Sequence, residues 1–159
     1  MIVNKRMILC GPSASGKTFI REKFEKAGYV SDVSYTSRNK RNGEEDGVHY
    51  NFVSKKEFED KIEKKEFYEY VQYDENYYGT GLKEFNESDI FIFETDGIKH
   101  LKEDDRKTSV VIYINTPESI RVQRMLERGW DLLKINERIE TDKKKFEDFT
   151  DFDLEIKSY

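Results

Sequence analysis

Eight residues near the N-terminus constrain this chain more than any other stretch: Gly11-Pro12-Ser13-Ala14-Ser15-Gly16-Lys17-Thr18. The apolar run Met7-Ile8-Leu9-Cys10 ends directly before them and predicts a buried strand. Residues 17–27 follow with Phe19, Ile20, Phe24 and Ala27 at helical spacing, and Gly28 stops that helix. A strand, a glycine-rich turn and a helix in this order make an anion cradle. Backbone amides crowd around phosphate oxygens only where no Cβ intervenes. The helix offers its first amides and its dipole to the same charge. In such a loop Lys17 reaches the terminal phosphates and the Thr18 hydroxyl ligates Mg²⁺. A chance match in a chain of this length is on the order of one in two hundred. An accidental turn is therefore the weaker explanation, and Gly11, Pro12, Ser13, Ala14, Ser15, Gly16, Lys17 and Thr18 are candidate ATP-binding residues.

The rest of the chain has to supply one compact domain around that loop. It has 159 residues, 38% of them charged, and a formal charge of −5. So polar a chain raises the question of disorder, but 11 Phe, 10 Tyr and one Trp are enough large side chains for a core. The mild acidity argues against wrapping nucleic acid by bulk charge. Cys10 is the one cysteine and His49 and His100 stand alone, so neither a disulfide nor a metal cluster is suggested. There is no apolar run of membrane-span length, and Met1-Ile2-Val3-Asn4-Lys5-Arg6 leads into a strand-like segment without a leader pattern. A cytoplasmic setting with no membrane partner is the expectation.

Strands are expected at 7–10, 29–33, 67–73, 76–78, 90–93, 110–114 and 153–156. The pair at 67–73 and 76–78 is joined by the turn Asp74-Glu75. Helices are expected at 17–27, at 54–64 with Ser54 and Glu57 as a capping box, from Thr116-Pro117 to Arg128-Gly129, and at 132–146. Residues 34–47 read as loop. Strands alternating with helices predict an α/β fold with a mostly parallel sheet flanked by helices. Right-handed crossovers would place the loops after the strands along one edge.

A second set of residues is suited to a phosphate monoester on a base. Arg38 and Arg41 lie three apart in a loop with no obvious carboxylate partner, and guanidiniums grip phosphate bidentately. Tyr50 and Tyr78 can donate to the same group. Glu69 can accept from two adjacent N–H groups, which guanine offers and adenine does not. Ser34 and Thr80 can donate to a carbonyl. The plainer alternatives are a solvated loop for the arginines, sheet packing for the tyrosines and a lysine-paired strand position for Glu69.

These residues also carry a resemblance. Val33-Ser34-Tyr35-Thr36-Ser37-Arg38 resembles the signature of guanylate kinases. So do Arg41-Asn42-Gly43-Glu44-Glu45-Asp46-Gly47-Val48-His49-Tyr50-Asn51-Phe52, Glu66-Phe67-Tyr68-Glu69-Tyr70 and Asn76-Tyr77-Tyr78-Gly79-Thr80. The resemblance extends over most of the chain. It implies a single domain at 1–159 of the phosphate-loop kinase type, with a GMP-binding lobe at 33–80 and a helical lid near 117–146. It implies ATP and GMP or dGMP as substrates, with Mg²⁺. It assigns GMP contacts to Ser34, Arg38, Arg41, Tyr50, Glu69, Tyr78 and Thr80, and lid charges to Arg124, Arg128 and Arg138. The catalytic set it implies is Lys17, Arg38, Arg128 and Arg138.

The chain departs from that family in two places. The family shows Asp-x-Asp at the end of the strand near residue 92, where this chain has Ile92 and Glu94. Glu94 is the metal-orienting candidate beside Thr18, with Asp96 as its rival. The family also carries a closing helix after the last strand, whereas this sequence ends at Tyr159, and a monomer or a homodimer is left open. Lys143-Lys144-Lys145 reads as a solvated face. The acceptor alternatives are another nucleotide or a phosphorylated sugar, and a non-catalytic interaction module is the other reading.

Overall fold

The computed structural model describes residues 6–157. The readings of residues 1–5 as an approach to a strand, and of Tyr159 as the end of the fold, lie outside the described residues. Along the chain run β1 (Arg6–Cys10), α1 (Lys17–Lys26), β2 (Tyr35–Thr36), β3 (Asn51–Phe52), α2 (Lys55–Glu63) and β4 (Phe67–Tyr73). Then come β5 (Asn76–Gly81), α3 (Leu82–Glu87), β6 (Ile90–Ile92), α4 (Thr95–Lys99) and α5 (Glu103–Lys107). Last are β7 (Ser109–Asn115), α6 (Glu118–Glu127), α7 (Leu132–Phe146) and β8 (Leu154–Lys157). They group into two compact units. One holds the residues up to 29 together with those from 90 onward, and the other holds residues 30–89.

The larger unit is built on an all-parallel sheet in the order β6-β1-β7-β8. Strands covered on both faces need apolar residues at every position, which is why β1, β6 and β7 read as continuous apolar runs. Ile8, Leu9 and Cys10 have no exposed surface. α1 lays Ile20 and Phe24 against Leu9, Ile90, Ile112 and Ile114. β1 lies between β6 and β7, so its carboxyl end opens in the crevice between diverging connections, where ligands sit in this class of sheet. The chain leaves that end as the glycine-rich loop. α6 and α7 form a hairpin whose Met125, Ile135 and Ile139 bury the methyl of Ala14 from that loop. Tyr113, Phe146, Phe149 and Phe152 make a separate aromatic cluster with ring centroids 5.3–5.9 Å apart.

The smaller unit has a mixed sheet in the order β3-β2-β5-β4, with β2 and β3 parallel and the remaining pairs antiparallel. Asp74 and Glu75 take φ of 48° and 60°, the two left-handed residues of a tight hairpin turn. The helix expected over 54–64 is α2, and both halves of its capping box are made: Glu57 N to Ser54 Oγ and Ser54 N to Glu57 Oε2. Its buried Phe58 stacks between Phe67 and Tyr77, at 4.3 and 5.1 Å. Gly79 is required where β5 passes this cluster, since a Cβ there would lie 2.9 Å from both Glu69 O and Tyr70 Cβ.

Several expectations are corrected. The strand at 29–33 does not form; the strand begins at Tyr35. Both backbone polar groups of Val30 are taken by Asp89, whose Oδ2 accepts from Val30 N and whose amide donates to Val30 O. This partner lies 59 residues away and has no local sequence signal. β5 continues to Gly81 rather than ending at Tyr78. The helix after Thr116-Pro117 has Pro117 as its cap residue, because the Thr116 hydroxyl donates instead to Ser15 O at 2.8 Å. α3, α4 and α5, each of five or six residues, were not expected. They are too short to show helical periodicity.

Candidate active site

The loop from Gly11 to Thr18 has a conformation that most side chains would forbid. A Cβ on Gly11 would lie 2.6 Å from Ile114 O and 2.9 Å from Ser15 Oγ. Gly16 is left-handed, with φ 103°, at the point where α1 begins. Ala14 is also left-handed at φ 60°, and its carbonyl is fixed by Arg124 Nη1 at 3.0 Å. Ser15 Oγ is buried without a hydrogen-bond partner among the described residues, an unsatisfied polar atom inside an anion cradle. Thr18 lies exposed in the first turn of α1.

Lys17 curls over this loop. Its Nζ donates to Gly11 O at 2.6 Å and Pro12 O at 3.0 Å. Burial pulls its pKa below the usual lysine range, against the opposing pull of Glu94 and Asp142. Glu94 is pushed upward by burial, but Lys17, Lys145 and Arg138 outweigh that and hold it below the ordinary carboxylate value. It pairs with Lys145 Nζ at 3.0 Å and with Arg138 Nη2 at 3.9 Å. Lys145 is therefore part of the site, which corrects the reading of the whole lysine run as solvated. Asp96 is exposed and pairs with Lys99 at 3.2 Å.

Of the three candidate arginines of α6 and α7, two meet the loop. Arg124 holds Ala14 O. Arg138 Nε donates to Ser13 Oγ and lies 3.5 Å from Asp142 Oδ1. Arg128, at the end of α6, is exposed and makes no side-chain ion pair or hydrogen bond among the described residues. Two residues the sequence reading missed complete the arrangement. Asp142, 2% exposed, accepts from Ser13 N at 2.9 Å and from Arg121 Nη1 at 3.3 Å. Arg121, 6% exposed, also donates to Thr116 O. The partners are 21 and 129 residues apart, so only the i,i+4 spacing of Arg138 and Asp142 was a visible clue.

The smaller unit gathers the second set of candidates. Arg38 does have a carboxylate, contrary to expectation: Glu44 takes both arms of the guanidinium, at 2.6 and 2.7 Å. Glu44 also accepts from Arg41 N at 2.7 Å. The Arg38 hydrogen bond, helped by that amide, drops the Glu44 pKa to about 2 despite the opposing effect of burial. With a further bond to Asn39 O, three of the five N–H donors that arginine carries are used by Arg38. The guanidinium lies 5.2 Å from the Tyr50 ring centre, and Tyr50 and Tyr78 are 6.2 Å apart. The Arg41 side chain is exposed on the same loop.

In the same unit Glu69 Oε1 accepts from Thr80 N at 3.2 Å. Ser34 Oγ donates to Asp32 Oδ2 at 2.5 Å, and Thr80 Oγ1 lies 3.4 Å from the same oxygen. Asp32 was not anticipated. Its signal is local, an acidic residue two before Ser34, but its burial to 6% is not legible in the sequence. Thus Arg38, Arg41, Tyr50 and Tyr78 form one group and Ser34, Glu69 and Thr80 another, all within residues 30–89.

Among the described residues no cluster of three metal-ligating side chains occurs. A hydroxyl at the head of α1 and one carboxylate at the end of β6 are a hard-oxygen donor set. It fits an ion that takes most of its ligands from phosphate and water, as Mg²⁺ does. No helix of the described residues is long and apolar enough to cross a membrane.

A family model described as guanylate kinase matches residues 3–158. The guanylate kinase of Enterococcus faecalis is 36% identical over 141 residues, covering 82% of this chain and 69% of that protein. That of Campylobacter jejuni is 29% identical over 163 residues, covering 94% and 78%. Among solved structures, guanylate kinase from Anaplasma phagocytophilum superposes with a TM-score of 0.73 over 97% of this chain and 76% of that one. At 21% identity that likeness speaks to the fold alone. With nearly the whole chain matched by the family model and a bacterial relative above one-third identity, this chain belongs to the guanylate kinase family.

Proposed function

We infer that the protein transfers the γ-phosphoryl group of Mg·ATP to GMP or dGMP, giving ADP and GDP or dGDP. One observation supports this reading: the chain has an intact phosphate loop, Lys17 and Thr18 included, and also a unit that gathers Ser34, Glu69 and Thr80 in one group and Arg38, Arg41, Tyr50 and Tyr78 in another.

The triphosphate would lie on the loop from Gly11 to Thr18, with the first amides of α1, Lys17 and the buried Ser15 hydroxyl as its donors. Arg124 and Arg138 hold that loop in shape and add positive charge beside it. Arg128 is free to reach a bound phosphate. Thr18, and Glu94 through water, would hold Mg²⁺. When bound, the ion would supply positive charge against the charge that develops during transfer.

Glu69 would accept from N1–H and the 2-amino group of guanine. A base without those donors leaves the carboxylate unpaired, which costs about 1–3 kcal/mol or more for a charged group. Arg38, Arg41, Tyr50 and Tyr78 would grip the acceptor phosphate. An oxygen of that phosphate attacks the γ-phosphorus. The bond from the γ-phosphorus to the β,γ-bridging oxygen breaks, and its electron pair leaves on ADP. The acceptor is already an anion, so no general base is needed, and the chain contributes position and charge.

An ADP-release assay with GMP, dGMP, AMP, CMP, UMP and ribose phosphates tests this. Turnover confined to GMP and dGMP is expected. Turnover on a sugar phosphate with none on GMP would overturn the assignment, as would failure to bind ATP in calorimetry.

A further inference from the structure

Thr116 stands just before α6, where a threonine ordinarily caps a helix, yet α6 has no side-chain cap. A capping hydroxyl accepts from an amide of the first turn. The Thr116 hydroxyl instead donates to Ser15 O at 2.8 Å, a buried contact between residues 101 positions apart. A hydroxyl has one proton to give and a carbonyl can only accept, so that proton is committed to the glycine-rich loop. The pairing of β7 with β1 brings Thr116 there: Tyr113 lies beside Cys10, and the chain continues three residues past it along the loop. Thr116 is 3% exposed, and its own carbonyl is held by Arg121 Nε at 3.2 Å. Arg121 in turn pairs with the buried Asp142.

Three successive loop residues are gripped in this way from the 116–142 segment. Asp142 accepts from Ser13 N, Arg124 holds Ala14 O and Thr116 holds Ser15 O. In a trans peptide the carbonyl and the next amide point in opposite directions, so a partner on one side aims the group on the other. Two of the peptides show the result. With Ser13 N taken by Asp142, Pro12 O turns the other way and accepts from Lys17 Nζ at 3.0 Å and Ser15 N at 3.2 Å. With Ala14 O taken by Arg124, Ser15 N turns away from Arg124 to meet that same Pro12 O. The third peptide joins Ser15 to Gly16. Its carbonyl faces Thr116, and its amide belongs to the left-handed Gly16 at the head of α1, φ 103°.

We propose that Thr116 is a positioning residue of the phosphate site: by holding the Ser15 carbonyl, its hydroxyl aims the Gly16 amide at the bound triphosphate. This rests on the phosphate site assigned under Proposed function. Thr116 acts through one peptide plane and touches no reacting atom.

Thr116→Val keeps the shape of the side chain and removes its proton, whereas Thr116→Ser keeps the proton. In calorimetry the affinity for ATP should weaken about fivefold in Thr116→Val, the worth of one ordinary hydrogen bond, and stay within about twofold of wild type in Thr116→Ser. The loss should fall on the KM for ATP rather than on kcat, because the amide meets the nucleotide before and during transfer alike. In NMR the wild-type Gly16 amide proton should move downfield when Mg·ADP is added, and Thr116→Val should diminish that movement. A loss of stability alone moves neither quantity.

A folded Thr116→Val variant that binds ATP as wild type does overturns the proposal, whatever its thermal midpoint. So does a Thr116→Ser variant as weak as Thr116→Val, which would take the effect away from the hydroxyl. A wild-type Gly16 amide that stays in place when ADP binds overturns it too, and needs no variant to fold. Wild-type binding separates the two levels. If ATP and ADP bind while these tests fail, only the role of Thr116 falls. If neither binds, the phosphate site itself is misplaced and the Thr116 proposal falls with it.

Discussion

Lys17 and Glu44 show how single residues organise the candidate sites of the two units. Lys17 lies half-buried over its own loop and is satisfied by two loop carbonyls, the position from which, on the proposed function, it would meet a transferring phosphoryl group. Lys17→Ala should lower kcat by about 10³-fold, the upper range for removing one preorganised donor, with GMP binding unchanged in calorimetry. Glu44 holds Arg38 in the smaller unit, and its pKa falls from 4.5 to about 2 chiefly through that contact. A depressed carboxylate stabilises the fold above its unfolded pKa and loses that contribution as pH falls through its folded one. The thermal midpoints of wild type and Glu44→Gln should therefore differ above about pH 4.5 and converge as pH approaches 2. A gap that widened on acidification would show that the pair has no such role.

Elements differ in how far their chemistry is local, and that sets what could be read from sequence. The capping box of α2 uses Ser54 and Glu57, three residues apart, and was legible. Ser54→Ala should cost about 1 kcal/mol in urea denaturation and leave ATP binding untouched. The glycine-rich loop was legible for the same reason, because its close approach and left-handed backbone demand glycine at fixed offsets. The α6–α7 hairpin was legible only as two helices. What ties it to the loop is Asp142, which bonds Arg121 and Ser13 across distances that no local pattern marks, and only its i,i+4 pairing with Arg138 is local. Likewise Lys145 looked like one of three solvated lysines until β6 brought Glu94 beside it. Removing one partner of a buried pair strands the other, so Arg121→Leu should destabilise the protein by about 3 kcal/mol by thermal or urea unfolding. Arg138 still faces Asp142 in that variant, which keeps the cost near the lower end of what such losses bring.

In the whole molecule, chemistry is divided between two compact units, each with its own sheet and core. The parallel sheet presents the glycine-rich loop at the carboxyl end of β1, and the mixed sheet presents Glu69 and the arginine–tyrosine group. Lesions in one unit should therefore spare binding in the other. Glu69→Ala should raise the KM for GMP by at least about tenfold, while calorimetric ATP binding stays within about twofold of wild type. Equal damage to both substrates would remove the base-reading role from Glu69. A co-crystal with GMP and a non-hydrolysable ATP analogue tests the central claim most directly. The guanine N1 and 2-amino nitrogens should lie about 3 Å from the Glu69 carboxylate, with the monophosphate on Arg38, Arg41, Tyr50 and Tyr78. A base bound away from Glu69, or a monophosphate that meets neither arginine, would contradict the account.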